Sequence, residues 1–272
     1  MNNFTQRILT GTVFIVAILT PIWFGPHSST LLFLVIALLS LHEFYGIIHA
    51  DIRQPNKAFG YLSAIAVYAC LNVSHLYPDF PLQLQGSTLI YPAFALIFIA
   101  ELYRNKPEPF GNIGYTITGV LYTVLPFALL NDLSFNGGVY NRGILLGYFF
   151  LLWSSDSFAY VFGMLLGKTR LFERISPKKS WEGSIGGGLT TLAVAWLISL
   201  YQTQYSTVEW LGIALIIIIA GTLGDLCESL LKRSLQVKDS GSILPGHGGV
   251  LDRFDGLFIS IPILWAYLHL IR

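Results

Sequence analysis

Long apolar stretches alternate with short polar joints along the whole chain, and this alternation decides its class before any single residue does. Nine such stretches stand out, at residues 8–24, 30–48, 58–77, 88–103, 113–130, 143–166, 184–201, 208–226 and 256–271. Each is close to the roughly 20 apolar residues that an α-helix needs to cross the hydrocarbon layer. The pattern predicts an all-α, polytopic integral membrane protein with about nine transmembrane helices. The first stretch follows Arg7 as a signal peptide would, but it is long and no small-residue cleavage site follows, so it is expected to stay as a helix. Pro21, Pro126 and Pro262 lie inside these stretches. In lipid-spanning helices they are tolerated, because neighbouring helices can satisfy the freed backbone groups.

Composition sharpens this. Hydrophobic residues make up 54% of the 272, charged residues 11%, and the mean hydropathy is +0.62. A soluble domain carries roughly 25% charged residues, so a water-soluble globule is excluded. No internal repeat, low-complexity tract or soluble linker domain stands out, and the expectation is one membrane domain over 1–272, with amino-terminal helices over 1–140 and the chemistry over 141–272. Cys70 and Cys227 both sit among apolar neighbours and offer neither a disulfide framework nor a zinc spacing. Both are expected to be small apolar fillers.

The formal net charge of +1 says nothing about partners until the charges are placed. With nine spans and a cytoplasmic amino terminus, every one of the 16 lysines and arginines except Arg142 and Arg272 falls on the cytoplasmic side. That is the asymmetry of the positive-inside rule. The two large polar loops, 167–183 and 227–255, then face the compartment that holds nucleotides, and a polar cavity open to the cytoplasm is expected there.

The densest polar stretch runs from 229 to 255. Asp225, Glu228, Ser229 and Lys232 are spaced three, four and seven apart, which puts them on one face of the helix leaving span eight. That face would be either a solvated terminus with a local salt bridge or part of a site. Asp225 follows an almost wholly apolar run, and an acid at such depth points to function. Gly246, Gly248 and Gly249 flank His247 and permit close approach of backbone N–H groups to phosphate oxygens. Asp252 and Asp255 follow, and a Mg²⁺ ion needs only one or two carboxylates besides phosphate and water oxygens. Asp225, Asp252, Asp255 and Glu228 are the candidate metal ligands, with room for a second cation. Lys232, Arg233, Lys238 and Arg253 are candidate phosphate partners, with Asp239 in the same run. The alternatives are an ordinary turn for the glycines and a hydrogen-bonded loop residue for His247.

The other loop holds Ser176, Lys178, Lys179, Ser180, Trp181 and Glu182 and leads to a glycine-rich helix start at 186–188. Lysines beside hydroxyls and a helix amino terminus suit a phosphate clamp, although positive-inside bias also puts lysines there. Asp156, mid-way along span six, is either helix glue or a wall of the site. Glu43 and Glu101 are expected to pack or to snorkel to the interface. Gly163 with Gly167, and Gly183 with Gly187, have the spacing for close helix contact, within the chain or in a homodimer.

The 229–255 stretch resembles the signature of the phosphatidate cytidylyltransferase (CDP-diacylglycerol synthase) family. Ser229, Lys232, Arg233, Lys238, Asp239, Gly241, Pro245, His247, Gly248, Gly249, Asp252, Arg253 and Asp255 all stand where that pattern has them. SPKKSWEG is similar to a second family motif, with Ser180 where threonine is more usual, and the likeness takes in Asp156, Tyr160, Gly163 and Gly167. It covers about the carboxyl-terminal half; residues before about 140 agree only in being transmembrane. The resemblance implies a magnesium-dependent enzyme of the inner membrane that joins CTP to phosphatidic acid, giving CDP-diacylglycerol and pyrophosphate. Its partners would be those substrates and the bilayer, with no nucleic acid. The candidate substrate-binding residues are Ser176, Lys178, Lys179, Ser180, Glu182, Gly248, Gly249, Ser229 and Asp156. A CDP-alcohol phosphotransferase is excluded, because Asp255-Gly256 is followed by Leu257-Phe258-Ile259-Ser260 and not by that family's Ala-Arg pair. A CTP-dependent polyprenol kinase should lack the HGG and DRFD run. A transporter should show two related halves, and none is seen.

Overall fold

The computed structural model describes residues 3–49, 53–79, 88–241 and 248–271. It is almost entirely helical, and each of the nine apolar stretches lies mainly on helix. In chain order the elements are α1 (Asn3–Phe24), α2 (Pro26–His49), α3 (Lys57–Leu76), α4 (Ile90–Arg104), α5 (Pro109–Gly119), α6 (Leu125–Leu133), α7 (Arg142–Leu166), α8 (Trp181–Tyr201), α9 (Thr207–Ile216), α10 (Thr222–Ser234) and α11 (Asp255–Leu270). Two antiparallel hairpins, β1 (Phe135–Asn136) with β2 (Val139–Tyr140) and β3 (Arg170–Phe172) with β4 (Ser176–Ser180), are the departures from helix among the described strands. Six helical runs among the described residues are long and apolar enough to cross a membrane: 26–48, 57–76, 109–133, 142–166, 181–201 and 207–234. Residues 10–24 and 255–270 form shorter apolar helices. The fourth stretch becomes a 15-residue helix that carries Glu101 and Arg104.

Two of the long runs are interrupted by π turns, each with a local cause or consequence. Val120–Val124 joins α5 to α6 just before Pro126, whose missing N–H and bulky ring disrupt a regular α-helical ladder, and the wider turn absorbs the conflict. Ile217–Gly221 joins α9 to α10 and re-aims the helix one turn before Asp225. The start of α9 is fixed by a capping box: the Glu209 N–H donates to Ser206 Oγ at 3.3 Å, and the Ser206 N–H to Glu209 Oε2 at 2.6 Å.

Contacts divide the chain into two compact units. The first comprises Met1–Tyr140 and Ser234–Phe254. Its core gathers Phe33, Phe44, Tyr45 and Phe127, with Phe254 packed edge-on to Phe127 at 5.1 Å. A polar cluster holds α4 to α5: Glu101 accepts from Arg104 at 2.7 Å and from Asn112 Nδ2 at 2.8 Å. Glu101 is therefore buried and paired, not snorkelling.

The second unit comprises Asn141–Arg233 and Asp255–Arg272. Its tightest seam is between α7 and α8, where glycines remove the side chains that would separate the backbones. A Cβ on Gly187 would lie 2.7 Å from the Ala159 amide nitrogen, and one on Gly183 would lie 2.7 Å from the Ala159 carbonyl oxygen. The small-residue spacing thus serves packing within the chain. The seam also explains why Gly186, Gly187 and Gly188 lie inside α8 and do not start it: the helix begins at Trp181, capped by Ser180, whose Oγ accepts the Gly183 N–H at 3.2 Å. Elsewhere in this unit the Tyr148 hydroxyl meets Ser260 Oγ at 2.7 Å, and Ser260 donates to the Gly256 carbonyl at 2.8 Å. Tyr148→Phe is expected to cost about 1 kcal/mol, measurable as a lowered unfolding midpoint of the protein in detergent. Cys70 is buried as a filler should be, whereas Cys227 is exposed and fills nothing; both are free thiols.

Candidate active site

Within the second unit, α10 delivers its polar face as the spacing requires. Ser229 Oγ donates to Asp225 Oδ1 at 3.3 Å, and Lys232 Nζ pairs with Glu228 Oε2 at 2.7 Å. Asp225 Oδ2 also meets Lys179 Nζ of β4 at 2.5 Å, so the first polar loop is tied by an ion pair to the helix that leads into the second. Asp255 opens α11 within electrostatic reach of Asp225, Asp156 and Glu228, and its Oδ1 accepts the Gly256 N–H at 2.7 Å. Four carboxylates are concentrated in this unit against two lysines bonded to them.

A cavity of about 460 Å³ opens beside these groups. Its walls include Asp156, Lys178, Lys179, Ser180, Tyr160 and Asp225. Asp156 lines this cavity and is exposed. Thr222, at the start of α10, lines both this cavity and an apolar groove of about 500 Å³. The groove runs along α8, α9 and α10, over residues such as Trp181, Leu189, Leu215 and Leu223.

Other candidate residues are not among those lining this cavity. Glu182 is not among the residues lining the cavity; it accepts the Lys168 N–H at 3.1 Å and the Thr169 N–H at 3.1 Å and so anchors the approach to β3. Ser176 pairs with Phe172 at the far end of the hairpin. Arg233 is exposed at the end of α10.

The remaining signature residues belong to the first unit. Asp252 accepts the Ser240 N–H at 3.0 Å and the Gly249 N–H at 2.8 Å, drawing 240–241 and 248–252 together. Gly248 has φ of +82°, a backbone state that side chains other than hydrogen resist, and a Cβ there would meet Asp252 Oδ2 at 2.7 Å. Lys238, Asp239 and Arg253 are exposed. His247, with Pro245 and Gly246, lies outside the described residues. Glu43, expected to pack or to snorkel, packs: it is buried and hydrogen-bonded to this same stretch. The available signal was an acid inside the apolar run of α2, the same signal that drew attention to Asp156.

The chain matches the family described as the Cytidylyltransferase family over residues 5–271. It belongs to that family. Among its relatives, the phosphatidate cytidylyltransferase of Staphylococcus aureus strain COL is 32% identical over 260 residues, covering 95% of this chain and 96% of that protein. The phosphatidate cytidylyltransferase of Staphylococcus saprophyticus subsp. saprophyticus is 38% identical over 184 residues, 67% of this chain and 68% of its own length. That of Rickettsia bellii strain RML369-C is 37% identical over 184 residues, 65% of this chain and 79% of its own. The cytidylyltransferase match extends through the amino-terminal helices, which the signature alone did not reach.

Proposed function

We propose that this protein transfers the cytidylyl group of CTP to phosphatidic acid, releasing pyrophosphate and leaving CDP-diacylglycerol in the membrane. The observation that carries this reading is the cavity holding acids and lysines together beside an apolar groove, with Thr222 common to both. A lipid phosphate needs the first surface and its acyl chains the second.

The lipid phosphate is ionised at neutral pH and needs no strong base to attack the α-phosphate of CTP. What the site must supply is alignment of two anions and relief of their repulsion. Lys178 and Lys179 face the cavity, where phosphate oxygens compete with Asp225 for the Lys179 ammonium. Lys232 and Arg233, on α10 of the same unit, are the further cations assigned to the triphosphate and the leaving pyrophosphate. Ser180, fixed as the cap of α8, holds its hydroxyl at the cavity wall.

The acid-rich face also suits Mg²⁺, an ion that prefers oxygen donors. Among the described residues no three His, Cys, Asp or Glu side chains form a ready-made metal cage. A Mg²⁺ ion takes one or two carboxylates and completes its shell with phosphate and water. Asp225, with Asp255 and Glu228, would hold it. When bound, such an ion neutralises charge on the reacting phosphates. In this reading the basic loops face the cytoplasm and the enzyme sits in the inner membrane, supported by the uneven placement of lysine and arginine.

The test is turnover by purified protein in detergent micelles, with labelled CTP, phosphatidic acid and Mg²⁺. A labelled lipid is expected, its formation stopping after EDTA and returning with added Mg²⁺. No labelled lipid under any divalent cation would overturn the reaction; full turnover in EDTA would overturn the metal.

A further inference from the structure

We infer that Glu43, on α2, is a positioning residue for this reaction, holding the signature stretch around Asp252 in one backbone conformation. The inference rests on the cytidylyltransferase reading above. Glu43 is 4% exposed, and both of its oxygens are used. Oε1 accepts the Val250 N–H at 2.9 Å; Oε2 accepts the Leu251 N–H at 2.8 Å and the Ser240 hydroxyl at 3.0 Å. None of these three donors is a basic side chain. A buried carboxylate is costly unless its lone pairs are met, and here backbone and hydroxyl donors from one signature stretch meet them.

Ser240 connects this acid to Asp252. Its hydroxyl donates to Glu43 and its N–H to Asp252, so the two carboxylates grip the same residue from its two polar ends. Asp252 in turn holds the Gly249 N–H, next to the Val250 and Leu251 amides on Glu43. The glycines complete the fit. A Cβ on Gly249 would run into both Ser240 Oγ and the Glu43 carboxylate, and a Cβ on Gly241 would run into the same carboxylate. The pattern of small residues that marks this stretch thus has a second cause besides phosphate approach: it leaves room for an acid from a helix some 200 residues earlier in the chain (|i−j| of 197 to Ser240).

The chemistry requires the acid itself. Because Oε1 and Oε2 each face a backbone N–H, glutamine in either orientation sets its NH₂ against one of those donors. Glu43→Gln should therefore release the Val250 or Leu251 amide while preserving the volume of the side chain. Gly248 and Arg253 lie on the released stretch, and the sequence offers both as phosphate partners. The effect should fall on CTP and spare the lipid.

Amide hydrogen exchange and steady-state kinetics on wild type, Glu43→Gln and Ser240→Ala decide it. In Glu43→Gln, exchange at Val250 and Leu251 is expected to quicken at least tenfold with α7 and α8 unchanged. KM for CTP should rise at least fivefold, and KM for phosphatidic acid should stay within twofold. A merely structural loss would lower the amount of active enzyme and leave both KM values alone. Ser240→Ala, which removes one donor of three, should shift both readouts in the same direction by less. It carries the test if Glu43→Gln does not fold. Unchanged exchange at Val250 and Leu251, or unchanged KM for CTP, overturns the inference. If wild type makes no labelled lipid from CTP, the proposed reaction fails, while the exchange result still judges the grip of Glu43 on this stretch.

Discussion

Asp225→Asn is expected to lower the turnover of CTP by about 10²–10³-fold, the loss typical when one preorganised electrostatic partner of a transition state is removed. The side chain keeps its size and its place on α10, so the fold should survive, and detergent-solubilised protein should elute as wild type does. Two roles for Asp225 need separating. It makes an ion pair with Lys179, and it faces the cavity among the other acids. If the pair were its whole purpose, exchanging the charges in the double variant Asp225→Lys, Lys179→Asp would restore activity. If the carboxylate must collect positive charge from the substrate complex at that position, the swap restores nothing. The second outcome is expected. A single Asn variant with near-normal turnover would remove Asp225 from the site.

Gly187→Leu is expected to yield no folded protein. A Cβ at Gly187 lies 2.7 Å from the Ala159 amide nitrogen and 2.9 Å from the Ser155 carbonyl oxygen, both of them backbone atoms that cannot rotate away. Even Gly187→Ala should cost about 1–3 kcal/mol through overpacking. Gly114→Ala is the control, since nothing lies within 4 Å of a Cβ there. The measurement is the monodisperse fraction after extraction, followed by the unfolding midpoint where protein accumulates. Normal yield of Gly187→Leu would mean that α7 and α8 do not approach at this seam. The same contact bears on the site: α7 carries Asp156 and α8 starts at the Ser180 cap, so separating the helices should disturb both walls of the cavity.

Much of the site could be read along the chain because it is built from neighbours. The pairs Asp225 with Ser229 and Glu228 with Lys232 are one helical turn apart, and helical periodicity alone brings them together. The Ser180 cap is equally local. Glu182 has partners that its own neighbourhood does not show. Its type and position fit phosphate-loop chemistry, but the backbone amides of Lys168 and Thr169, more than a dozen residues earlier, claim its carboxylate once β3 and β4 pair. Glu43 packs as expected, but nothing near it in the chain announces its donors, which come from 240–251.

Sequence by itself determined that this is a helical membrane protein, where its apolar stretches lie, and which polar stretch resembles the family signature. Those follow from apolar run length and from contacts within a turn or two, where covalent spacing already places the groups. Only the tertiary structure decided that Asp156 and Lys179 share a cavity with Asp225, that the glycines of α8 bring two backbones together, and that Glu43 is spent on the signature stretch. Each of these joins residues distant in the chain, and a buried acid takes whichever donors packing brings to it.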